Sequence, residues 1–294
     1  MCLKSSVCQV GIFLQRSVFV TSEALFLAQL HTEDAVLVTV HSHRGSVPRE
    51  KGAWMAVFAQ GSLGTVGGGH LEWQALAEAR ARLHGASGEA VLRYPLGPKL
   101  GQCCGGEVML TFERVSAVDL PRLQASFAQA HASWPHIALF GGGHVGWALV
   151  QTLARLPMSV RWIDSRDQIF PQPLPANVSV EHSDTVQAAV AELAPGALVL
   201  VMSFSHAEDL DVVAACLARH RAHADLPFIG LIGSQTKWAS FSHRLQARGF
   251  SPDELAHVTC PIGLPGIAGK APEVIAVAVA AQLLLLTSSA ASPQ

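Results

Sequence analysis

Charge is scarce in this chain. Of 294 residues only 14% are Asp, Glu, Lys or Arg, with 20 Lys+Arg against 22 Asp+Glu and a formal net charge of -2. Soluble domains are typically about one-quarter charged, so the deficit points to surface covered by a partner or a second copy. Tyrosine is reduced to a single residue and the arginines are scattered. That removes the basic stripe and the aromatic platform of a nucleic-acid binder. Six cysteines, two of them the adjacent Cys103 and Cys104, make no disulfide framework and no Cys-x-x-Cys pair, so neither a secreted scaffold nor a structural zinc site is expected. The expected compartment is the cytoplasm. Long apolar runs are missing too. The longest, EVIAVAVAAQLLLL, falls short of the ~20 residues of a spanning helix, so no membrane association is expected. In the first 20 residues Gln9, Gln15 and Arg16 interrupt the apolar run and no clean small-residue cleavage site follows, which argues against a signal peptide.

What the chain has in quantity is apolar residues, 50% of the total, and bunched glycine. Length and apolar fraction suffice for about two domains with sizeable cores. Of 25 glycines, 15 fall in four windows: Gly61, Gly64 and Gly67 to Gly69; Gly101, Gly105 and Gly106; Gly141 to Gly143 and Gly146; Gly263, Gly266 and Gly269. Such bunching marks places where backbone must come close to something. After an extension over 1–20, the pattern predicts a small α/β domain over 21–116, opening with a helix from Ser22, its possible N-cap, to Leu30. Strands AVLVTVHSHRGS and WMAVFAQGS follow, then a helix from LEWQALAEARARLHG with Gly85 as its stop, then strands AVLRYPL and EVMLTFERV. Residues 117–134 read as a connecting helix or linker, and 287–294 as a tail. Between them, 135–286 alternates strand and helix, the grammar of a Rossmann-like parallel sheet covered on both faces, ending in an apolar helix.

Four motifs are candidates for chemistry. Gly141-Gly142-Gly143-His144-Val145-Gly146 is a G-x-G-x-x-G between the strand HIALF and a helix, with Asp164 at the end of the next strand. Gly141, Gly143 and Gly146 there predict a pyrophosphate on a helix N-terminus and Asp164 on a ribose hydroxyl; the alternative is glycine used only for close packing. The turn holding Gly67, Gly68, Gly69 and His70 could hold an anion on bare N–H groups, although Glu72 in the first turn would compete with it. In GQCCGG the Cys103 and Cys104 thiols could reach a soft metal or a sulfur centre, or be small buried hydrophobes. Near the ends of the Rossmann strands, Ser234 reads as a helix cap with Lys237 as an anion clamp, and His206 with Asp209 as an acid-base pair or as solvated loop.

Taken in order, GSVPR (45–49), GGGHLE (67–72), GQCCGG, GGGHVG with Asp164, SFSHAEDLD, IGSQTK and CPIGLPGIAGKAPEVIAVAVAAQLL (260–284) resemble the XdhC family of xanthine dehydrogenase accessory proteins. SFSHAED departs from the Thr-His-Asp-His form of many relatives, and residues 1–20 have no counterpart in the motif set. The resemblance implies a cofactor-binding chaperone rather than an enzyme. Such a protein binds the molybdenum cofactor (molybdopterin), protects it while a cysteine desulfurase adds the terminal sulfur, and delivers it to the xanthine dehydrogenase molybdenum subunit. It also implies a homodimer. Cys103 and Cys104 would contact molybdenum or handle sulfur, and Gly67 to Gly69 with His70 would line the same cleft, placed between the domains. The competing readings are an NAD(P)-dependent oxidoreductase and a nucleotide-sensing module on the Rossmann half, either one holding a nucleotide through Asp164.

Overall fold

The computed structural model describes residues 21–96 and 106–290, with side chains through residue 288. The extension 1–20 and the cysteine pair Cys103 and Cys104 lie outside the described residues. The chain divides into two compact units at about residue 130, Val20–Ala130 and the segment from His131 on.

The first unit is an antiparallel five-stranded sheet with helices on both faces. Its elements are α1 (Ser22–Leu30), β1 (Ala35–Arg44), β2 (Trp54–Phe58), β3 (Gly61–Gly64), α2 (Gly69–Leu83), β4 (Val91–Pro95), β5 (Glu107–Val115) and α3 (Leu120–Ala132). The strands are ordered β3-β2-β1-β5-β4. Side chains alternate along a strand, and β1 shows both results. Val36, Val38 and Val40 pack under Leu71, Ala75 and Ala79 of α2. Ala35 and Leu37 join the opposite cluster with Phe26 and Leu30 of α1. The cap of α1 is Thr21, one residue before the expected Ser22: its hydroxyl accepts from the Ala24 N–H at 3.2 Å. Gly85 does end α2, at φ +96°. The segment expected as a connecting helix or linker folds as a short 3-10 turn and α3, whose Leu120, Leu123 and Phe127 pack into the α1 cluster.

The second unit carries a six-stranded parallel sheet: β6 (His136–Phe140), β7 (Ser159–Asp164), β8 (Val178–His182), β9 (Leu198–Val201), β10 (Phe228–Leu231) and β11 (Val258–Thr259). Helices α4 (His144–Leu153), α5 (His206–His223), α6 (Gln235–Ala247), the short α7 (Pro252–Leu255) and α8 (Pro272–Ala290) cover it. The order β11-β10-β9-β6-β7-β8 is the doubly wound arrangement, with its reversal between β6 and β9. Two apolar clusters fill its faces, one around Phe140, Ile163 and Val213, the other around Leu139, Leu149 and Trp162. α8 runs to Ala290, into the segment expected as tail. Among the described residues no helix is long and apolar enough to cross a membrane.

Leu139 is fully buried in β6, the strand that leads into the glycine turn. Leu139→Ala is expected to destabilise the protein by about 2–5 kcal/mol through lost transfer energy and a residual cavity. Urea unfolding checks this; an unchanged midpoint would mean β6 is not at the centre of the core.

Candidate functional site

In doubly wound sheets ligands bind beyond the carboxyl ends of the strands where the order reverses. Here that point is the turn after β6. Gly141 has φ +122°, and a Cβ there would sit 2.1 Å from the Met202 carbonyl oxygen at the end of β9. A Cβ on Gly146 would lie 2.1 Å from the Gly141 carbonyl oxygen, so this glycine lets α4 pack onto the turn. The Trp162 indole N–H, buried beneath, donates to that same oxygen at 2.9 Å. Gly143 caps α4 without a side-chain hydrogen bond, and nothing lies within 4 Å of where its Cβ would be. Gly141, Gly143, Gly146 and Asp164 are thus brought together as the spacing predicted.

Asp164, however, is already engaged. Its buried carboxylate accepts from the Gly142 N–H at 2.5 Å, from the Arg166 backbone N–H at 2.9 Å, and from Arg166 Nε and Nη2 at 2.9 and 2.8 Å. An ionised carboxylate offers about four acceptor positions, so a ribose hydroxyl finds none free unless Arg166 swings away. Burial alone would raise the Asp164 pKa; the hydrogen bonds from Arg166 and Gly142 and the Arg166 charge outweigh it and hold the carboxyl below its ordinary value. The guanidinium also lies 5.0 Å from the ring centroid of Phe204, which is 59% exposed. Ile169, in the loop after β7, packs close to Gly142.

A second cluster follows β9 and β10. Asp209, buried in the first turn of α5, accepts through Oδ1 from the Ser203 N–H at 2.8 Å and hydroxyl at 2.7 Å, and through Oδ2 from Lys237 Nζ at 2.6 Å. Lys237 also donates to the Ile232 carbonyl at 2.8 Å. The expected acid-base pair is therefore not formed: His206 packs edge-on against Phe241. Ser234 is the cap of α6, as its position predicted, accepting from the Lys237 N–H at 3.3 Å. Lys237 is turned inward as the part-buried ion-pair partner of buried Asp209, away from the role of a free anion clamp.

In the first unit, the turn of Gly67, Gly68 and Gly69 leads from β3 into α2. Glu72 folds back over it, its Oε2 accepting from the Val66 and Gly68 N–H groups at 3.2 and 3.1 Å and from the Thr65 hydroxyl. The competition expected of Glu72 is realised, and these N–H groups already hold an anion. Gly67 makes room for Pro48, whose Cγ would lie 2.4 Å from a Cβ. Gly106 makes room for the Ser46 carbonyl, 2.2 Å from a Cβ. The GSVPR loop, the GGGHLE turn and the end of the GQCCGG segment are therefore neighbours. His70 stacks on Trp73, 5.5 Å between ring centroids, and Trp73 is 64% exposed.

Sequence reasoning missed Arg166, Ser203 and Trp73. For Arg166 the available signal was an arginine two residues past the acid ending the second Rossmann strand. For Trp73 it was a tryptophan three residues after His70, one helical turn along the same face.

Because Asp164 is held below its ordinary pKa, its stabilising contribution is complete above the unfolded Asp value of about 3.9 and is lost as pH falls through the lower folded value. Asp164→Asn is therefore expected to be less stable than the parent at neutral pH, with the gap closing in acid. Urea titrations at several pH values check this. A gap independent of pH would mean the charge of Asp164 carries none of it.

Two family models match the chain: the XdhC Rossmann domain over residues 137–283 and the XdhC and CoxI family over residues 28–95. The uncharacterized protein YqeB of Escherichia coli (strain K12) is 27% identical over 281 residues, covering 92% of this chain but 46% of its own length. The chain thus spans about half of that curated relative. A crystal structure described as a xanthine dehydrogenase from Bacillus halodurans superposes with a TM-score of 0.71 at 19% identity, covering 93% of this chain and 98% of the other. That likeness is one of fold. With one model covering half of the chain and the second falling in the other unit, this chain belongs to the XdhC family, whose Rossmann domain forms its second unit.

Proposed function

We propose that the chain is a xanthine dehydrogenase accessory protein that binds the molybdenum cofactor as cargo. It shields the cofactor while a cysteine desulfurase adds the terminal sulfur and passes it to the molybdenum subunit, in the cytoplasm and without catalytic turnover of its own. Family membership is the observation that carries this reading. The first unit supports it by grouping three of the family-like motifs at one place: Pro48 against Gly67, and Ser46 against Gly106. Beside them the exposed Trp73, backed by His70, offers a flat apolar face of the kind a pterin ring stacks on. Cys103 and Cys104 are our candidates for contact with molybdenum or for sulfur handling, since soft thiolates suit a soft metal. The cargo phosphate does not sit on the Val66 and Gly68 N–H groups while Glu72 holds them.

The rival reading, a Rossmann oxidoreductase or nucleotide sensor, draws on the doubly wound sheet and the open Gly143. It needs Asp164 to exchange Arg166 for a ribose, and it lacks the His206–Asp209 pair. We also propose a homodimer, in keeping with the low charge of the chain.

The test is to mix the protein with released molybdenum cofactor, separate bound from free, and add the complex to cofactor-free xanthine dehydrogenase. Stoichiometric retention and recovery of dehydrogenase activity are expected. Failure of both would overturn the proposal. Replacing Cys103 and Cys104 together with Ala is expected to lower retention or sulfuration with the fold intact. Trp73→Ala is expected to weaken retention by about twofold to tenfold, the worth of one aromatic stack. Unchanged retention in Trp73→Ala would remove the stacking surface from the account.

A further inference from the structure

The segment CPIGLPGIAGK, which holds the last of the four glycine windows, encloses a cavity in the second unit. β10 ends at Leu231 and β11 at Thr259; the chain from Cys260 to Lys270 then arches from the sheet edge to the start of α8. The arch is pinned along its first half. The Ile262 N–H donates to the Leu231 carbonyl at 3.3 Å, the Gly263 N–H to Gln282 Oε1 at 2.8 Å, and the Leu264 N–H to the Ala278 carbonyl at 3.0 Å. Beneath it is a cavity of about 580 Å³. Small-molecule sites usually measure about 300–1,000 Å³.

The lining has a consistent character. Ile232, Ile262, Leu264, Ile267, Val274 and Ile275 make apolar walls. Lys270 is the cationic side chain at the cavity, and no Asp or Glu is among the lining residues. Two helices start at its rim, α6 at Gln235 and α8 at Pro272, and their dipoles add to the positive field. None of the glycine-turn residues lines this cavity, and neither does Asp164.

We propose that this cavity is a binding site for a small organic anion, its aromatic or apolar body against the isoleucine walls and its phosphate or carboxylate on Lys270. The inference stands on the cavity and holds whether or not the chain carries a molybdenum cargo.

Cys260 supplies a reporter. Its half-buried thiol lines the cavity, with Sγ 3.9 Å from the Ser234 carbonyl oxygen. Burial raises its pKa, with the nearby Lys237 charge pulling the other way. The full chain is alkylated with iodoacetamide and the Cys260 peptide is followed by mass spectrometry, with guanosine 5'-monophosphate, riboflavin 5'-phosphate or inorganic phosphate present. At least one aromatic phosphate is expected to slow modification of Cys260, and inorganic phosphate at the same concentration is not. In Lys270→Ala, an exposed substitution, half-protection is expected to need about tenfold more of the same compound, the effect of losing one charge-assisted contact. Three results would each overturn the site as described: no protection by either aromatic phosphate, equal protection by inorganic phosphate, or protection indifferent to Lys270→Ala.

Discussion

The Asp164 carboxylate holds the second unit's glycine turn together. A carboxylate buried at the end of a central strand is costly unless every acceptor position is met. Here Gly142 and Arg166 meet them. One group thereby ties β7, the turn after β6 and the loop after β7, and through the Arg166 stack on Phe204 it reaches the segment after β9. The fingerprint is built as its spacing requires, but its acid faces inward. Gly141 and Gly146 serve the same end, admitting the Met202 carbonyl and α4.

A parallel arrangement recurs beside it. Asp209 is closed by Ser203 and Lys237 much as Asp164 is closed by Arg166. In the first unit Glu72 closes over the N–H groups of its own turn. Three anion-ready or acid-bearing motifs are thus satisfied internally, while Gly143, the Trp73 face and the cavity under the final loop are among the open features of the described residues.

Much of this was legible in the sequence. The continuous apolar run AVLVTV predicted a buried strand and forms β1 with both faces covered, and the strand-helix alternation after residue 135 predicted the parallel sheet. Ser234 as a cap and Gly85 as a stop follow from local chemistry and hold. What was not legible depends on where long side chains turn. Nothing in the spacing tells that Arg166 bends back onto Asp164, or that Lys237 reaches across from α6 to Asp209 and so leaves His206 to pack on Phe241. In the segment 117–134, read as a connecting helix or linker, the helix forms; its spacing alone does not tell that Leu120, Leu123 and Phe127 join Phe26 and Leu30 of α1 in one cluster with residues of β1, β2 and β5.

Arg166 occupies acceptor positions on Asp164 that a ribose hydroxyl would use, and we propose that this pairing keeps the fingerprint from acting as a dinucleotide site. Calorimetric titration with NADH tests it most directly. The parent protein is expected to give no saturable binding, and Arg166→Ala, with Asp164 released, to gain affinity that Asp164→Asn in the same background removes. Saturable binding of NADH by the parent, lost in Asp164→Asn alone, would contradict the account.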